Sequence, residues 1–440
     1  MAMLRITRRR TGPSGPTGPR LVATKAWPQP LSGKLPQPLQ ATDGLQPEAP
    51  PEDLFTFDTI SKRMPAILDS VLAKMPDSIK TSSFVENIRE LQMEMKTGSQ
   101  LRLLETDGPR LGSKIWNEHL AKHIERQEGW HTAPWWVVEN YMYKRLLEEL
   151  DRCSVDATDF DPFGSVKAQA LEQSTEPVKD SLLPLCDVVQ KAAGADDEEK
   201  RSALDATLLR SLWGNQADMS LSAGEVASVS GGALENLVSD HRAAAVNLLQ
   251  DAETVVVVLD NHGLEVLCDL VLVDAVLSLT DASVRLHVKD APVFVSDVTD
   301  RDVPGVLKWL GSHMPALAQR LNGAMASGRL KVQAYSFYTT AKAFWELPAD
   351  LQMEFEDAVV ILKGDANYRR LLGDLHWPYD LNFQDYAQSF WKGKGLICLR
   401  TMKSGVAIGI SKEEQQRAKA NHAKDWLTSG TYGQVLSFKK

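Results

Sequence analysis

The sequence predicts an α/β fold, in which a mostly parallel, doubly wound sheet follows a helical N-terminal region. After about residue 200, short β-branched runs alternate with helical patterns, which is typical of parallel strands joined by helices. Between residues 55 and 150, apolar residues recur at helical spacing instead. The 440 residues, 43% of them hydrophobic, are enough for a buried core and for more than one region.

Residues 1–51 form the first predicted region, a disordered, basic and proline-rich extension. Ten of the 22 prolines lie here, and residues 1–42 contain five arginines and two lysines but no acidic residue. Such a segment buries too little apolar area to fold. A basic start without acids is also typical of organellar transit peptides, so import into an organelle stays open. A cytoplasmic location is the main expectation, since the four cysteines are widely spaced and form no CxxC pair.

Residues 52–200 form the second predicted region, which is helical. Apolar residues such as Ile60, Met64 and Leu68 recur every three or four positions. Residues 133–150 (APWWVVENYMYKRLLEEL) predict a long helix that Pro134 opens at its first turn. We expect its aromatic side chains to be buried in the core.

The charge and hydropathy patterns exclude two classes of partner. The formal net charge is −9, which gives no basic surface for nucleic acid. No apolar run reaches the ~20 residues that span a bilayer. The longest run, Leu264–Leu279, contains Glu265, Asp269 and Asp274 at spacings that recur on one side of a helix, so it predicts an amphipathic helix. The oligomeric state does not follow from the sequence.

Residues 254–259 (TVVVVL) are the strongest strand signal in the third region, residues 201–440. A continuous β-branched run is typical of a parallel strand buried on both faces. Shorter runs predict further strands at residues 284–288, 293–295, 330–334, 358–362 and 396–399. In such sheets, ligands bind beyond the carboxyl ends of the strands, and this rule directs the search for a site.

Oxygen-bearing side chains follow two of these predicted strands. Asp260 and Asn261 follow residues 254–259, and Asp297 follows residues 293–295 together with Ser296. Carboxylate and amide oxygens suit a hard divalent cation such as Mg²⁺ or Mn²⁺. The helix that begins near Gly263 would also direct backbone N–H groups towards an anion.

Cationic side chains follow two other predicted strands. Residues 363–369 (KGDANYR) follow one, and residues 400–403 (RTMK) follow the other. Lysine, arginine and backbone N–H groups at a strand end can hold a phosphate. Each segment alone also fits a simple turn or helix cap, and it is their coincidence that makes residues 201–440 the predicted metal- and phosphate-binding core.

Three common nucleotide and hydrolase motifs are missing from the sequence. There is no GxxxxGK[ST] loop, no GxGxxG fingerprint and no GxSxG elbow. The strand followed by DNHG differs from the DxD of aspartate-nucleophile phosphatases, because position 262 is histidine.

The strand-end segments resemble those of the damage-control phosphatase family, in its sugar-phosphate phosphatase branch, which is also called the acidic-residue methyltransferase-like branch. The RTxK element is specific to this branch. The resemblance runs from about residue 55 to near the C-terminus. It is carried by residues 133–145, 160–163 (FDPF), 211–220 (SLWGNQADMS), 257–265 (VVLDNHGLE), 287–300 (HVKDAPVFVSDVTD), 363–377 (KGDANYRRLLGDLHW) and 400–403 (RTMK).

This resemblance implies a helical N-terminal region packed on a Rossmann-like core, with a divalent metal that is most often Mn²⁺ or Ni²⁺, with Co²⁺ and Mg²⁺ as further candidates. The implied substrates are hexose and pentose phosphates such as fructose 1-phosphate. The matching metal ligands are Asp260, Asn261 and Asp297. These three also count among the implied substrate-binding residues, together with Glu265, Asp365, Ala366, Asn367, Tyr368, Arg369 and Lys403.

Two positions depart from the family pattern. His262 stands where the family often has alanine, and Ala366 stands where a leucine is common. We expect both to alter the choice of substrate rather than to abolish binding.

The implied reaction is hydrolysis of a phosphate monoester, with Asp260 and Asp297 as catalytic carboxylates. The metal would polarise the phosphoryl oxygen and activate a bound water, and Lys403 and the Asn367 segment would stabilise the phosphoryl charge. Direct attack by Asp260 or Asp297 is the other route. Two further functions stay open: an S-adenosylmethionine-dependent protein carboxyl methyltransferase, although its glycine-rich turn is missing, and a scaffold that binds a partner through residues 135–150.

Overall fold

A computed structural model describes residues 7–9, 27–32, 35–41, 43, 51–153, 160–214, 234–422 and 424–440. No helix within these ranges is both long and apolar enough to cross a membrane.

The core of the protein is one eight-stranded sheet with the strand order β1-β5-β4-β3-β6-β7-β8-β2. Neighbouring strands are parallel except β7 and β8, which are antiparallel. The strands are β1 Thr7–Arg9, β2 Leu237–Asp240, β3 Thr254–Val258, β4 Ser283–Lys289, β5 Leu330–Tyr335, β6 Val359–Lys363, β7 Gly395–Thr401 and β8 Gly433–Lys439. The predicted α/β class with a mostly parallel, Rossmann-like sheet is therefore confirmed.

The strand order reverses at β3. From β3 the chain adds β4 and then β5 on one side, whereas β6 and β7 are added on the other side. The adjacent carboxyl ends of β3 and β6 therefore form a topological switch point, where a crevice opens because the connecting helices leave in opposite directions.

The β-branched run of β3 is buried on both faces, as predicted. Val255 and Val257 belong to one hydrophobic cluster, and Val256 and Val258 belong to the other. Successive side chains of a strand point to opposite faces, so the sheet separates two apolar layers. A central strand with two covered faces has no place for polar side chains, which explains the lack of alternation.

Helices cover both faces of the sheet. The early helices, up to residue 153, share a hydrophobic cluster with Val256 and Val258. Helices Gly164–Glu172, Leu183–Ala192 and Asp197–Leu212 contribute to the cluster on the opposite face. The early helices are Pro51–Asp58, Met64–Lys74, Ser82–Thr97, Ser113–Glu125 and Trp135–Cys153, with a π-helical turn at Thr59–Arg63.

The remaining helical segments connect the strands or join other helices. They are Thr175–Pro177, the π-helical Val178–Leu182, Arg242–Gln250, Leu264–Leu279, Val303–His313, Pro315–Ser327, Ala349–Glu356, Gly364–Leu372, Phe383–Phe390 and Lys412–Asn421, with 3₁₀ turns at Pro30–Ser32, Ser336–Thr339 and Phe344–Glu346. A single helix, Asp197–Leu212, runs across the boundary predicted between residues 200 and 201. The division into residues 1–51, 52–200 and 201–440 therefore stays a prediction from the sequence.

The strand predicted at residues 293–295 is wrong. These residues form a bend after β4. The ring of Phe294 lies 5.2 Å from that of Tyr143 and 5.9 Å from that of Trp136. The apolar run therefore packs against the long helix Trp135–Cys153 instead of extending the sheet, and the left-handed backbone at Phe294 (φ 70°) turns the chain back.

Parts of the segment predicted to be disordered are folded. Thr7–Arg9 pairs with β5 at the sheet edge. Trp27 and Leu39 are buried, and the ring of Trp27 lies 5.0 Å from that of Trp391. The disorder prediction therefore fails at these positions, because isolated apolar residues in a proline-rich segment can still pack on an existing core. Most of residues 1–51, including the proposed transit peptide, lies outside the described residues.

The prediction that Leu264–Leu279 is an amphipathic helix is wrong, although its bounds are confirmed. Nearly all its residues are buried, because other helices pack around it. Asp269 accepts hydrogen bonds from Ser211 and lies 3.2 Å from the Lys363 ammonium. Asp274 binds the Arg320 guanidinium through both carboxylate oxygens at 2.7–3.1 Å. The acids of this helix therefore mark buried ion pairs and not a solvated face.

We expect Arg320→Met to lower the free energy of unfolding by about 2–4 kcal/mol, since it leaves the buried Asp274 carboxylate unpaired; partial exposure of Arg320 keeps the cost below that of a fully buried pair. Urea unfolding at pH 7 measures the change. The control is Lys439→Met, whose partner Asp251 is exposed, with an expected cost below about 1 kcal/mol. The double variant Asp274→Leu/Arg320→Met should recover most of the stability that Arg320→Met loses. A loss in Arg320→Met no larger than that in Lys439→Met would contradict this account.

Candidate functional site

A cavity of about 230 Å³ opens at the carboxyl edge of the sheet, beside the switch point between β3 and β6. Its floor comes from strand ends, and its roof comes from the early helices. Eight of the ten predicted site residues line it: Asp260, Asn261, Glu265, Asp297, Asp365, Ala366, Arg369 and Lys403. The rule that ligands bind at strand ends thus grouped residues that lie in one cavity although they are up to about 140 positions apart in the sequence.

Asn261 links two of the acidic side chains. Its amide nitrogen donates hydrogen bonds to Asp260 Oδ2 at 2.9 Å and to Glu265 Oε2 at 2.8 Å. Its amide oxygen accepts a hydrogen bond from the Ser296 hydroxyl. Since Glu265 lies in the first turn of Leu264–Leu279, the amide fixes the strand end to the start of the helix.

Asp297 reaches the same place from the loop after β4. An isolated bridge pairs Asn261 with Asp297, and Val298 donates its backbone N–H to the carbonyl of Asp260 at 2.8 Å. The Asp297 carboxylate lies 2.6 Å from the Lys289 ammonium at the end of β4. That ammonium is held by the carbonyl of Val293 at 2.9 Å, so Asp297 is positioned although no strand precedes it.

Gly364 allows the Asp260 carboxylate to approach the end of β6. A Cβ atom added at Gly364 would lie 1.7 Å from Asp260 Oδ2, and its φ of +77° is one that other residues rarely adopt. Position 364 therefore requires glycine on two grounds. The same residue begins the helix Gly364–Leu372, and its first-turn residues Asp365 and Ala366 also line the cavity.

The Asp260 carboxylate is buried among the other acidic groups of the cavity. It is 5% exposed, and its Oδ1 has no hydrogen-bond partner among the described residues. Burial, followed by repulsion from Asp297 and Glu265, raises its pKa well above the ordinary range. A divalent cation would relieve both penalties, because it would bind the free oxygen and neutralise the cluster.

The donor set fits a hard cation only through oxygen. Within the described part of the chain, no three His, Cys, Asp or Glu side chains are grouped as a metal site. The predicted metal ligands are of another kind, because they combine two carboxylates, those of Asp260 and Asp297, with the amide oxygen of Asn261. Such a set, completed by water or substrate oxygens, suits Mg²⁺ or Mn²⁺ better than Zn²⁺.

Most charged groups around the cavity are already paired. Asp365 lies 2.7 Å from the Arg400 guanidinium and accepts hydrogen bonds from the backbone N–H of Lys403 and from Ser404. This arrangement fixes the loop after β7. Asp365 is thus held by the RTMK segment.

Arg369 is held as firmly as Asp365. Its guanidinium binds Glu139 at 2.6 Å and Asp374 at 2.7 Å, and it lies 3.7 Å from the ring centroid of Trp135. The long helix Trp135–Cys153 is thereby joined to the cavity floor.

Two cations in the cavity lining remain without an ion pair among the described residues. Lys403 reaches in from the loop after β7, and Arg63 reaches in from the π-helical turn Thr59–Arg63. Both side chains are exposed. π-Helical turns occur frequently at functional sites, and free cations beside a carboxylate cluster are suited to an anionic ligand that also contacts the metal ligands.

Asn367 and Tyr368, which we predicted to contact substrate, lie behind the cavity. The Asn367 amide donates to the carbonyls of Leu259 and Lys363 at 3.2 and 2.8 Å, and so it joins the ends of β3 and β6. The Tyr368 hydroxyl bonds with the backbone of Ile408. Their side chains therefore hold the floor of the cavity, and substrate contact stays a prediction for this segment.

Several residues that the sequence did not single out also belong to the site. Arg63, Glu139 and Tyr143 line the cavity, and Lys289 lies beside it, paired with Asp297. Lys289 follows a predicted strand, so the strand-end rule could have found it. Arg63, Glu139 and Tyr143 come from helices, where no comparable rule applies. The aromatic side chains predicted to be core at residues 135–143 are buried, but Trp135 and Tyr143 also line the cavity.

Two segments singled out in the sequence lie beside the cavity. His262 lines a separate surface cavity next to Lys167 and Asp302 and does not line the first cavity. Its expected effect on substrate choice would therefore have to be indirect. Gly214 packs under the first turn of the helix Leu264–Leu279, where an added Cβ would lie 3.0 Å from Glu265 Cα. Residues 215–220 of the same segment lie outside the described residues.

The fold and the cavity thus describe an α/β protein whose switch point carries a cluster of oxygen ligands. Two cations that have no ion pair among the described residues lie in the same cavity. The model of the damage-control phosphatase ARMT1-like domain matches residues 59–418. The chain belongs to this family.

Curated relatives support the same assignment. The chain is 30% identical to damage-control phosphatase ARMT1 of Xenopus tropicalis over 87% of this chain and 96% of the relative. It is 30% identical to that of Mus musculus over 88% and 96%, and 28% identical to that of Homo sapiens over 86% and 95%. A crystal structure of a DUF89 family protein from Pyrococcus horikoshii aligns at 14% identity with a TM-score of 0.44, over 80% of this chain and 91% of that chain. That structural likeness is too low to argue from.

We expect Gly364→Ala to lower the free energy of unfolding by about 1–3 kcal/mol, because the new methyl group displaces the Asp260 carboxylate and strains a left-handed backbone. Urea unfolding measures it. Gly311→Ala is the matched control, since an added Cβ there meets no atom within 4 Å, and in a helix it should stabilise by up to about 1 kcal/mol. Wild-type stability of Gly364→Ala would show that Asp260 is not held against this backbone.

Proposed function

We propose that the protein is a metal-dependent phosphatase that hydrolyses small sugar phosphates, such as fructose 1-phosphate, in metabolite repair. The observation that carries the proposal is the cavity composition. Carboxylates with an unsatisfied oxygen lie opposite two cations that have no ion pair among the described residues. A phosphate monoester with its metal ion has the complementary charges. Family membership supports the reaction class, and the resemblance in the sequence suggests the sugar.

The residues that would hold the metal are Asp260, Asn261 and Asp297, with Mn²⁺ or Ni²⁺ as the first candidates and Co²⁺ or Mg²⁺ as the next. Such a cation supplies Lewis-acid polarisation of the phosphoryl group. Lys289 has a supporting part, since its ammonium lies 2.6 Å from the Asp297 carboxylate and orients it inside a buried site. Burial lowers the pKa of Lys289, and the neighbouring Asp297 counteracts this shift.

The phosphate would lie between Lys403, Arg63 and the first turn of the helix Gly364–Leu372. The ammonium and the guanidinium donate charge-assisted hydrogen bonds, and the N–H groups of the helix start bind phosphate oxygens. The sugar would then face Ala366, Trp135 and Phe294, which line the rest of the cavity. A leucine in place of Ala366 would narrow this space, so Ala366 favours larger sugars.

Asp260 is the proposed catalytic carboxylate closest to the reaction, and Asp297 is the second. With one carboxylate oxygen of Asp260 on the metal, the other oxygen can take a proton from an attacking water. The same oxygen can instead attack phosphorus to form an aspartyl phosphate, which breaks the bond between phosphorus and the sugar oxygen. The sugar then leaves as an alcohol with a proton from water, and a second water hydrolyses the aspartyl phosphate to inorganic phosphate. The two routes differ in whether a covalent phosphoenzyme accumulates during turnover.

We expect phosphate release from sugar phosphates to stop after EDTA treatment and to return when Mn²⁺, Ni²⁺, Co²⁺ or Mg²⁺ is restored singly. Asp297→Asn should lower kcat/KM by at least about 100-fold, since loss of supporting groups around a metal alone costs about 10–100-fold. Asp251→Asn, at an exposed position, is the control. No release with any metal and sugar would remove the phosphatase proposal and favour the methyltransferase, which S-adenosylmethionine titration then tests.

We expect Arg63→Ala to lower kcat/KM by about 10–100-fold, mainly through KM, because a hydrogen bond to a charged group contributes about 1.5–3 kcal/mol. Steady-state kinetics with the preferred sugar phosphate measures it. The matched control is Lys62→Ala, whose exposed side chain pairs with Asp58 outside the cavity, and it should stay within about twofold. Equal effects of the two variants would mean that Arg63 does not bind the substrate.

A further inference from the structure

A second cavity, of about 390 Å³, lies beyond the ends of β4 and β5, and it shares no lining residue with the first. A wall of two elements separates them. On the helix Trp135–Cys153, Tyr143 lines the first cavity and Lys144 lines the second. At the end of β4, Lys289 pairs with Asp297 of the first cavity, whereas Asp290 lines the second.

The floor of the second cavity holds a chain of polar groups. The Lys144 ammonium, which is 1% exposed, donates to the Arg110 carbonyl at 2.8 Å and to the Thr339 hydroxyl at 3.2 Å. That hydroxyl in turn lies 3.1 Å from Asp290 Oδ1, to which it can donate. No direct ion pair joins Lys144 to Asp290 among the described residues, so one ammonium proton remains for a ligand. The Asp290 carboxylate, which also accepts a hydrogen bond from its own backbone N–H, keeps lone pairs that can accept from a ligand.

Burial makes both charges costly. It lowers the pKa of Lys144 to about 8, and it raises the pKa of Asp290. A buried lysine and aspartate that serve only the fold would be expected to pair directly. Here a hydroxyl separates them, beside a space that is large enough for a small molecule.

The charges of the cavity lining select the chemistry of that molecule. Three basic and three acidic side chains line it: Arg110, Lys114, Lys144, Asp107, Glu118 and Asp290. A phosphate would be repelled by the acids and an ammonium by the bases. A hydroxyl group accepts from one neighbour and donates to another. Leu111, Ile115 and Trp116 add an apolar wall for the carbon backbone of the ligand.

We propose that this second cavity binds a small, neutral, polyhydroxylated molecule, with Lys144 and Asp290 as its hydrogen-bonding anchors. Adjacent hydroxyl groups would accept from the remaining Lys144 ammonium proton and donate to the Asp290 carboxylate. This site does not depend on the proposed phosphatase reaction, because its residues lie on the other side of the wall.

Isothermal titration of the full chain with glycerol, erythritol, xylitol and sorbitol tests the proposal, with glycine and inorganic phosphate as further probes. Ile115→Trp fills the cavity from a half-buried position, and Lys122→Trp, on an exposed face of the same helix, is its control. Lys144→Met removes the anchor at constant length. Asp297→Asn reports on the first cavity.

We expect at least one polyol to bind, with an affinity about tenfold or more weaker in Ile115→Trp and in Lys144→Met than in Lys122→Trp and Asp297→Asn. Three outcomes would overturn the proposal: no polyol binds, a polyol loses affinity only in Asp297→Asn, or only glycine or phosphate binds. If Lys144→Met fails to fold, the comparison of Ile115→Trp with Lys122→Trp decides.

Discussion

The contact between the Asp260 carboxylate and the backbone of Gly364 is the constraint on which the site depends. Asp260 lies shortly after β3 and Gly364 directly after β6, so the contact lies where the strand order reverses. The helices after the two strands leave in opposite directions, and the crevice between them is open only while the two chain segments stay close. Asn367 strengthens this approach, because its amide bonds to carbonyls at both strand ends.

Charge pairing around this contact divides the ionic groups into two sets. Lys289, Arg369 and Arg400 each have a carboxylate partner, and they hold loops, the long helix and the floor in place. Arg63 and Lys403 have no such partner within the described ranges. A rigid set of paired charges therefore presents a small set of unpaired ones, which is the arrangement that a preorganised binding site requires.

Much of the α/β core could be predicted because its signals are local. The run at residues 254–259 is β-branched throughout, and the bounds of Leu264–Leu279 were predicted correctly. The failures share a different origin. Residues 293–295 have strand composition, but the aromatic surface of the helix Trp135–Cys153 offers Phe294 a better place than the sheet does. Strands β2 and β8 were missed because β2 is short and β8 buries Gln434 and Ser437. The Gln434 amide donates to the Ser239 hydroxyl, and the Ser437 carbonyl accepts from Gln384, so both partners are distant in the sequence.

For the site, the sequence predicted most of the residues at strand ends. It did not predict the residues of the early helices that form the roof of the cavity. Strand ends of a parallel sheet meet at one edge whatever the sequence between them, so Asp260, Asp365 and Lys403 could be grouped in advance. Arg63 and Glu139 reach the cavity only through the packing of helices, for which local periodicity gives no position. The roof of the cavity is therefore a tertiary property, whereas its floor is largely a property of topology.

The buried acids of the helix Leu264–Leu279 also affect how the chain is synthesised. Asp274 finds its cation 46 residues later in the sequence, at Arg320, and Asp269 pairs with Lys363, which is encoded later still. Ribosomes add about 5–20 residues per second, so the finished helix waits several seconds with two unneutralised carboxylates. During that interval, burial of this helix would remove two carboxylates from water without their cationic partners, which costs free energy. The face of β3 that this helix covers in the folded protein therefore stays exposed until the later residues have been added.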